Sequence, residues 1–209
     1  MIRLHILLGT VAASIATIVA IVIIHNPSPA PADPFNGLHL SAPAIIEDEI
    51  LGAPVVSYQS DTFGYSLKHP GNWLLDDSRL YFDGDILSNP SERVVITISE
   101  TIDPELMTEE GMDGMAKSIS ESLRIDSAFS LNVFERLVWK NRPTIFTDGV
   151  RQVGGKRFHT REYNIFRKNH DGVLNISVTT QEDSESLYDS ALQDILHSLD
   201  VCPKGREKH

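Results

Sequence analysis

Residues 131–181 read LNVFERLVWKNRPTIFTDGVRQVGGKRFHTREYNIFRKNHDGVLNISVTTQ, and this stretch decides the fold. Four β-rich segments, 131–139, 144–153, 157–167 and 173–180, follow one another with little between them. Gly154-Gly155 and Asp171-Gly172 separate the later ones, and both dipeptides suit the positive φ angles of tight hairpin turns. Short links of this kind join antiparallel neighbours, so the segment predicts a meander. Downstream, 184–199 carries Leu187, Tyr188, Ala191, Leu192, Ile195, Leu196 and Leu199 on one side and Glu185, Asp189, Gln193 and Asp194 on the other. That is the pattern of an amphipathic helix resting on a core.

Upstream, Arg93 to Ser99 (RVVITIS) is β-branched and bounded by Pro90, which predicts another strand. Met112, Met115, Ile119 and Leu123 recur at helical spacing, with Thr108 as cap and Glu109-Glu110 favourable in the first turn. Gly111 and Gly114 weaken the start of that helix. Residues 55–58 and 64–68 read as short strands around the turn Ser60-Asp61-Thr62. Hairpin-linked strands with two separated helices imply an α+β fold, a central antiparallel sheet covered by helices.

The ends of the chain differ in character. From Ile6 to Ile24 run 19 residues without a formal charge, close to the roughly 20 that an α-helix needs to cross a bilayer. Arg3 precedes this run and Glu47, Asp48 and Glu49 follow it, which predicts a single-pass transmembrane anchor with the body outside the cytoplasm. A rival reading is a signal peptide cleaved between Ala32 and Asp33, after the small residues of Ala30-Pro31-Ala32; the body would then be secreted. The expected organisation is therefore an anchor or signal at 1–25, a Pro-rich spacer at 26–54, a folded domain at 55–201 and a flexible tail at 202–209. Pro27, Pro29, Pro31, Pro34 and Pro43 keep the spacer extended, although Ile45, Ile46, Ile50 and Leu51 are apolar enough to dock.

Phe63-Gly64-Tyr65-Ser66-Leu67-Lys68-His69-Pro70-Gly71-Asn72-Trp73 resembles the opening signature of the PsbP-like superfamily, an aromatic strand running into Pro-x-x-Trp. Ala191 to Leu199, with its terminal Ser-Leu, is similar to that family's closing helix, and the likeness extends over 55–201. The resemblance implies an α/β/α sandwich. It also implies company as different as extrinsic photosystem II subunits, Mog-type Ran-binding factors and bacterial envelope proteins. A fold so widely shared does not select a function. The residues have their own physical reading: Tyr65 and Leu67 share one face of a strand, and Trp73 and Trp139 serve as packing anchors.

Composition excludes several classes. The 209 residues hold 18 Lys+Arg and 29 Asp+Glu, a formal net charge of −11, with 41% hydrophobic residues. Such a chain folds, and it repels nucleic-acid phosphate. A single cysteine, Cys202, excludes an intramolecular disulfide framework and cysteine-rich metal modules. No Gly-x-Ser-x-Gly, His-Glu-x-x-His or phosphate loop is present, and His69, His159, His170 and His197 are scattered; no enzyme activity and no cofactor are expected. In the acidic loop, Asp83 and Asp85 are weak candidates for a cation such as calcium, without EF-hand spacing. Asn175-Ile176-Ser177 fits a glycosylation sequon inside an expected strand.

Charge is distributed unevenly. Residues 26–130 hold 18 acidic and 5 basic side chains, a balance of −13, whereas 131–181 hold 4 acidic and 9 basic, a balance of +5. Arg151, Lys156, Arg157, Arg161 and Arg167 concentrate near the Gly-Gly hairpin. They are read in two ways: as cations that neutralise the acidic half within the fold, or as a docking face for an acidic partner. Two function classes follow. One is a monomeric, non-catalytic, membrane-tethered extracytoplasmic module docking on a membrane or envelope protein. The other is an accessory protein of the envelope that binds a small ligand or metal.

Overall fold

The computed structural model describes residues 53–80, 82–167 and 171–201. In chain order these form β1 (Val55–Ser60), β2 (Tyr65–Pro70), β3 (Leu74–Asp76), β4 (Asp85–Ser88), β5 (Val94–Ile102), α1 (Glu109–Ile125), β6 (Phe129–Trp139), β7 (Arg142–Val153), β8 (Lys156–Arg167), β9 (Gly172–Gln181) and α2 (Glu185–Ser198). Short 3-10 turns precede each helix, at Pro104–Met107 and Glu182–Ser184.

The meander forms as its turns require. Gly154 and Gly155 take φ +57° and +80° between β7 and β8, the left-handed region in which glycine carries no Cβ penalty. The β6–β7 link is as tight, although it is built from Lys140 and Asn141 at φ +51° and +62°, two residues that give no glycine signal. β9 then pairs with β5 along nine residues, Val94 opposite Thr180 through Ile102 opposite Gly172. The result is a seven-stranded antiparallel sheet in the order β3-β4-β5-β9-β8-β7-β6, with β1 and β2 forming a separate hairpin.

Both faces of the sheet are covered. On β5, Val94, Ile96 and Ile98 point to one side and meet Ile165, Leu174 and Ile176 of neighbouring strands. The β2 residues Tyr65 and Leu67, Trp73, and Leu192 and Ile195 of α2 close this core. On the other side, Ile145, Phe166 and Val173 pack against Met115, Ile119 and Leu123 of α1. The arrangement is a sheet between two helices, held by burial on both faces.

Thr108 caps α1, its Oγ1 accepting from the Gly111 N–H at 3.0 Å, and Glu109 and Glu110 stand in the first turn. Gly111 has a purpose that helix propensity conceals. A Cβ there would collide with the Glu105 carbonyl oxygen, so glycine lets the preceding 3-10 turn lie on the helix. Two strands were not expected from the sequence: β3 and β4, which flank the acidic loop and extend the sheet beyond β5. They are three and four residues long, too short to show a period.

No helix among the described residues is long and apolar enough to cross a membrane. The apolar run 6–24, the Ala32-Asp33 junction, the spacer up to residue 52, His170 and Cys202 lie outside the described residues.

Candidate functional site: the basic hairpin and its acidic partners

The five basic candidates occupy the β7–β8 hairpin or the far end of β8, and their surroundings differ sharply. Arg167 is fully buried, its guanidinium donating to Glu100 and to the backbone carbonyl of Phe63. Burial lowers its pKa, and Glu100 opposes that effect. Arg151 is nearly as enclosed; it pairs with Asp126 at 2.8 Å and lies over the Phe129 ring. Neither presents its charge to a partner's surface. Arg161 also departs from an outward-facing position. Its side chain is 18% exposed, and it lies beside α2 among Glu185 at 2.6 Å, Asp189 at 3.4 Å and Asp148 at 3.6 Å. Arg157 is open, 58% exposed, with Glu182 at 3.1 Å, and Lys156 is exposed next to the glycine turn.

The cause is the strand period. Arg157, His159 and Arg161 alternate onto the β8 face that meets α2; the 3-10 turn brings Glu182, and the helix brings Glu185 and Asp189, over them. An acidic N-terminal turn on a basic strand also satisfies the positive end of the helix dipole. Much of the local basic excess is therefore neutralised inside the domain, and the surface share of the candidate docking face contracts to Lys156 and Arg157.

His159 stands in the middle of this arrangement. Its Nδ1 contacts Glu185 and its Nε2 lies 2.8 Å from Asp148 Oδ2. Sequence spacing gave no sign of this grouping, because Asp148, His159 and Glu185 come from three elements. The other described histidines are elsewhere: His69 is buried with Nδ1 at 2.8 Å from the Pro70 carbonyl oxygen, and His197 is exposed.

The two candidate acids of the acidic loop stand in different surroundings. Asp83 is exposed, whereas Asp85 is buried and accepts hydrogen bonds from Tyr65 at 2.8 Å and Tyr58 at 3.3 Å, with Arg79 at 3.6 Å. Burial, then the Asp85 charge, pushes the Tyr58 hydroxyl up to about 12 and raises Tyr65 also. The carboxylate thus fastens the β1–β2 hairpin to β4. Among the described residues, no group of three His, Cys, Asp or Glu side chains is placed to hold a metal ion. Asn175 and Ser177 lie within β9, between β5 and β8, and Asn175 donates to Thr101 at 3.0 Å.

On the opposite face of β8, Glu162 accepts from Thr147 at 3.4 Å. Burial pushes its carboxyl up to about 6, against the lowering influence of Arg151 and Thr147.

No protein-family model matches the chain, and no curated protein matches it. Solved structures do resemble it. LpqN of Mycobacterium tuberculosis, described as involved in cell envelope biogenesis, is 15% identical with a TM-score of 0.49, the match covering 80% of this chain and 100% of that one. The Ran-binding protein Mog1p of Saccharomyces cerevisiae is 10% identical with a TM-score of 0.47, covering 71% and 96%. Cyanobacterial PsbP (CyanoP) from Synechocystis sp. PCC 6803 is 14% identical with a TM-score of 0.54, covering 83% of this chain and 99% of that one. What the sheet, its two covering helices and this last likeness establish is an α+β fold similar to that of PsbP.

Proposed function

We propose that this protein is a non-catalytic, membrane-tethered module of PsbP-like fold that docks on an acidic membrane or envelope protein outside the cytoplasm. The observation that carries the proposal is the order of parts: an uncharged 19-residue run, a Pro-rich spacer, then a folded body. At about 3.1 Å per residue a stiff spacer holds the body clear of the bilayer while confining it near membrane partners.

Lys156 and Arg157 are the docking residues in this reading, at a turn that projects from the sheet and keeps its cations in water. Electrostatic docking of this kind acts mainly on the rate of association and weakens with salt. The test is cross-linking of the full-length protein in its own membranes, compared with the Lys156→Glu, Arg157→Glu double variant. Arg157–Glu182 is an exposed pair worth about 0–1 kcal/mol, so the variant retains its melting temperature within a few degrees. Salt-sensitive capture that disappears in the variant supports the proposal. Equal capture by both proteins removes it.

A further inference from the structure

We propose that His159 is a proton-operated latch that fastens the first turn of α2 to the sheet. Its ring is held between two carboxylates, Glu185 of α2 at Nδ1 and Asp148 of β7 at Nε2. A neutral imidazole donates from one nitrogen only, and its other nitrogen would turn a lone pair toward a carboxylate. Only the imidazolium donates to both. The geometry is therefore that of the charged ring, bridging strand and helix through two charge-assisted hydrogen bonds.

The charges around the ring point the same way. Asp148, Glu185 and Asp189 stand against Arg161 and His159, three carboxylates to two cations when the ring is protonated and three to one when it is not. Arg157 is engaged by Glu182 in the adjoining 3-10 turn, and Arg93, just before β5, donates to Ser184 at 3.2 Å. β9 contributes only the uncharged Thr180 opposite His159. The partly buried site, with the His159 side chain 13% exposed and that of Asp148 16%, limits screening by water. Arg161 alone does not replace what the lost proton supplied, since it already serves all three acids.

The latch is fastened while both ring nitrogens of His159 carry a proton, and it is released when one of those protons is lost. Loss of the proton loosens the first turn of α2 and frees Glu185 from β8. Tyr188, fully buried at the end of that turn, and Leu192 and Ile195, two to three turns beyond Glu185, keep the helix seated on the core.

Amide hydrogen exchange on the full-length protein tests the proposal. Protection of residues 185–189, corrected for intrinsic exchange rates, is expected to fall roughly ten- to a hundredfold between about pH 5 and pH 8. In His159→Gln it stays level, because glutamine carries no proton to lose. Should that variant fail to fold, nitrogen shifts of the His159 ring in the unaltered protein decide the matter. Both nitrogens protonated at acidic pH, with loss of one proton tracking the loss of protection, supports the latch. A neutral ring at acidic pH, protection that ignores pH, or the same pH dependence in His159→Gln overturns it.

Discussion

Glu162 carries a carboxyl whose folded form favours the proton, pushed up to about 6 from an ordinary 4.5. Folding therefore takes up a proton at this position between those two values, and the residue detracts from stability as pH rises through them. A displacement of that size corresponds to at most about 2 kcal/mol, reduced here by the contact Glu162 keeps with water. We expect Glu162→Gln to be more stable than the unaltered protein at pH 8 and equal to it at pH 4, measured by urea unfolding; an equal difference at both values would refute the burial argument. Residues of this kind were hard to read in the sequence. Glu162 sits in an alternating strand and looks like any solvated acid, and its burial depends on strands that pair with it from elsewhere in the chain. Asp85 teaches the same point from the other direction. Asp83-Gly84-Asp85 reads as an oxygen-rich loop, yet its second carboxylate is claimed by two tyrosine hydroxyls from 20 and 27 residues earlier. Composition within a loop says which ligands are present and nothing about which are already engaged.

At the scale of elements, period was legible and boundaries less so. α2 shows its buried stripe directly, because a helix crossing one core must place apolar groups every three to four residues. Leu192 is 1% exposed and Asp194 is on the water side. Leu192→Ala should cost about 2–5 kcal/mol, and Asp194→Ala no more than about half a kcal/mol. Thermal unfolding of the two variants compares them, and similar losses would mean that α2 is not packed as described. What holds the helix ends was not legible. Lys140, in a turn without glycine, donates to the His197 carbonyl oxygen at 2.7 Å and to that of Leu199, complementing the negative end of α2. The Arg157–His159–Arg161 stripe meets the other end. Such contacts join residues that the sequence separates widely, and only the meander's register brings them together.

Over the whole molecule, the charge asymmetry was visible as a number and concealed as an arrangement. The basic segment faces acids of its own chain at Asp126, Glu182, Glu185 and Asp189, so local excess translates only partly into a charged surface. The likeness of Phe63 to Trp73 to the PsbP-like opening marked the fold because those residues do packing work: Tyr65, Leu67 and Trp73 are all buried in the α2-side core. The same two-sided core decides where the folding unit begins. The Gly71 N–H donates to the Pro54 carbonyl oxygen at 2.7 Å, so the chain is already engaged at residue 54, while Val55 is 70% exposed and Leu74 59%. Among the described residues, the buried members of the two main cores run from Phe63 to Val201. A chain running from Ala53 to Val201 should therefore be soluble and monomeric and should unfold in one cooperative transition, with fluorescence of Trp73 and Trp139 and far-ultraviolet circular dichroism giving the same midpoint. Ile45, Ile46, Ile50 and Leu51 supply the competing outcome. If the shortened chain aggregates and recovers only when residues 26–52 are restored, those side chains cover the exposed Val55 and Leu74, and the folding unit extends into the spacer.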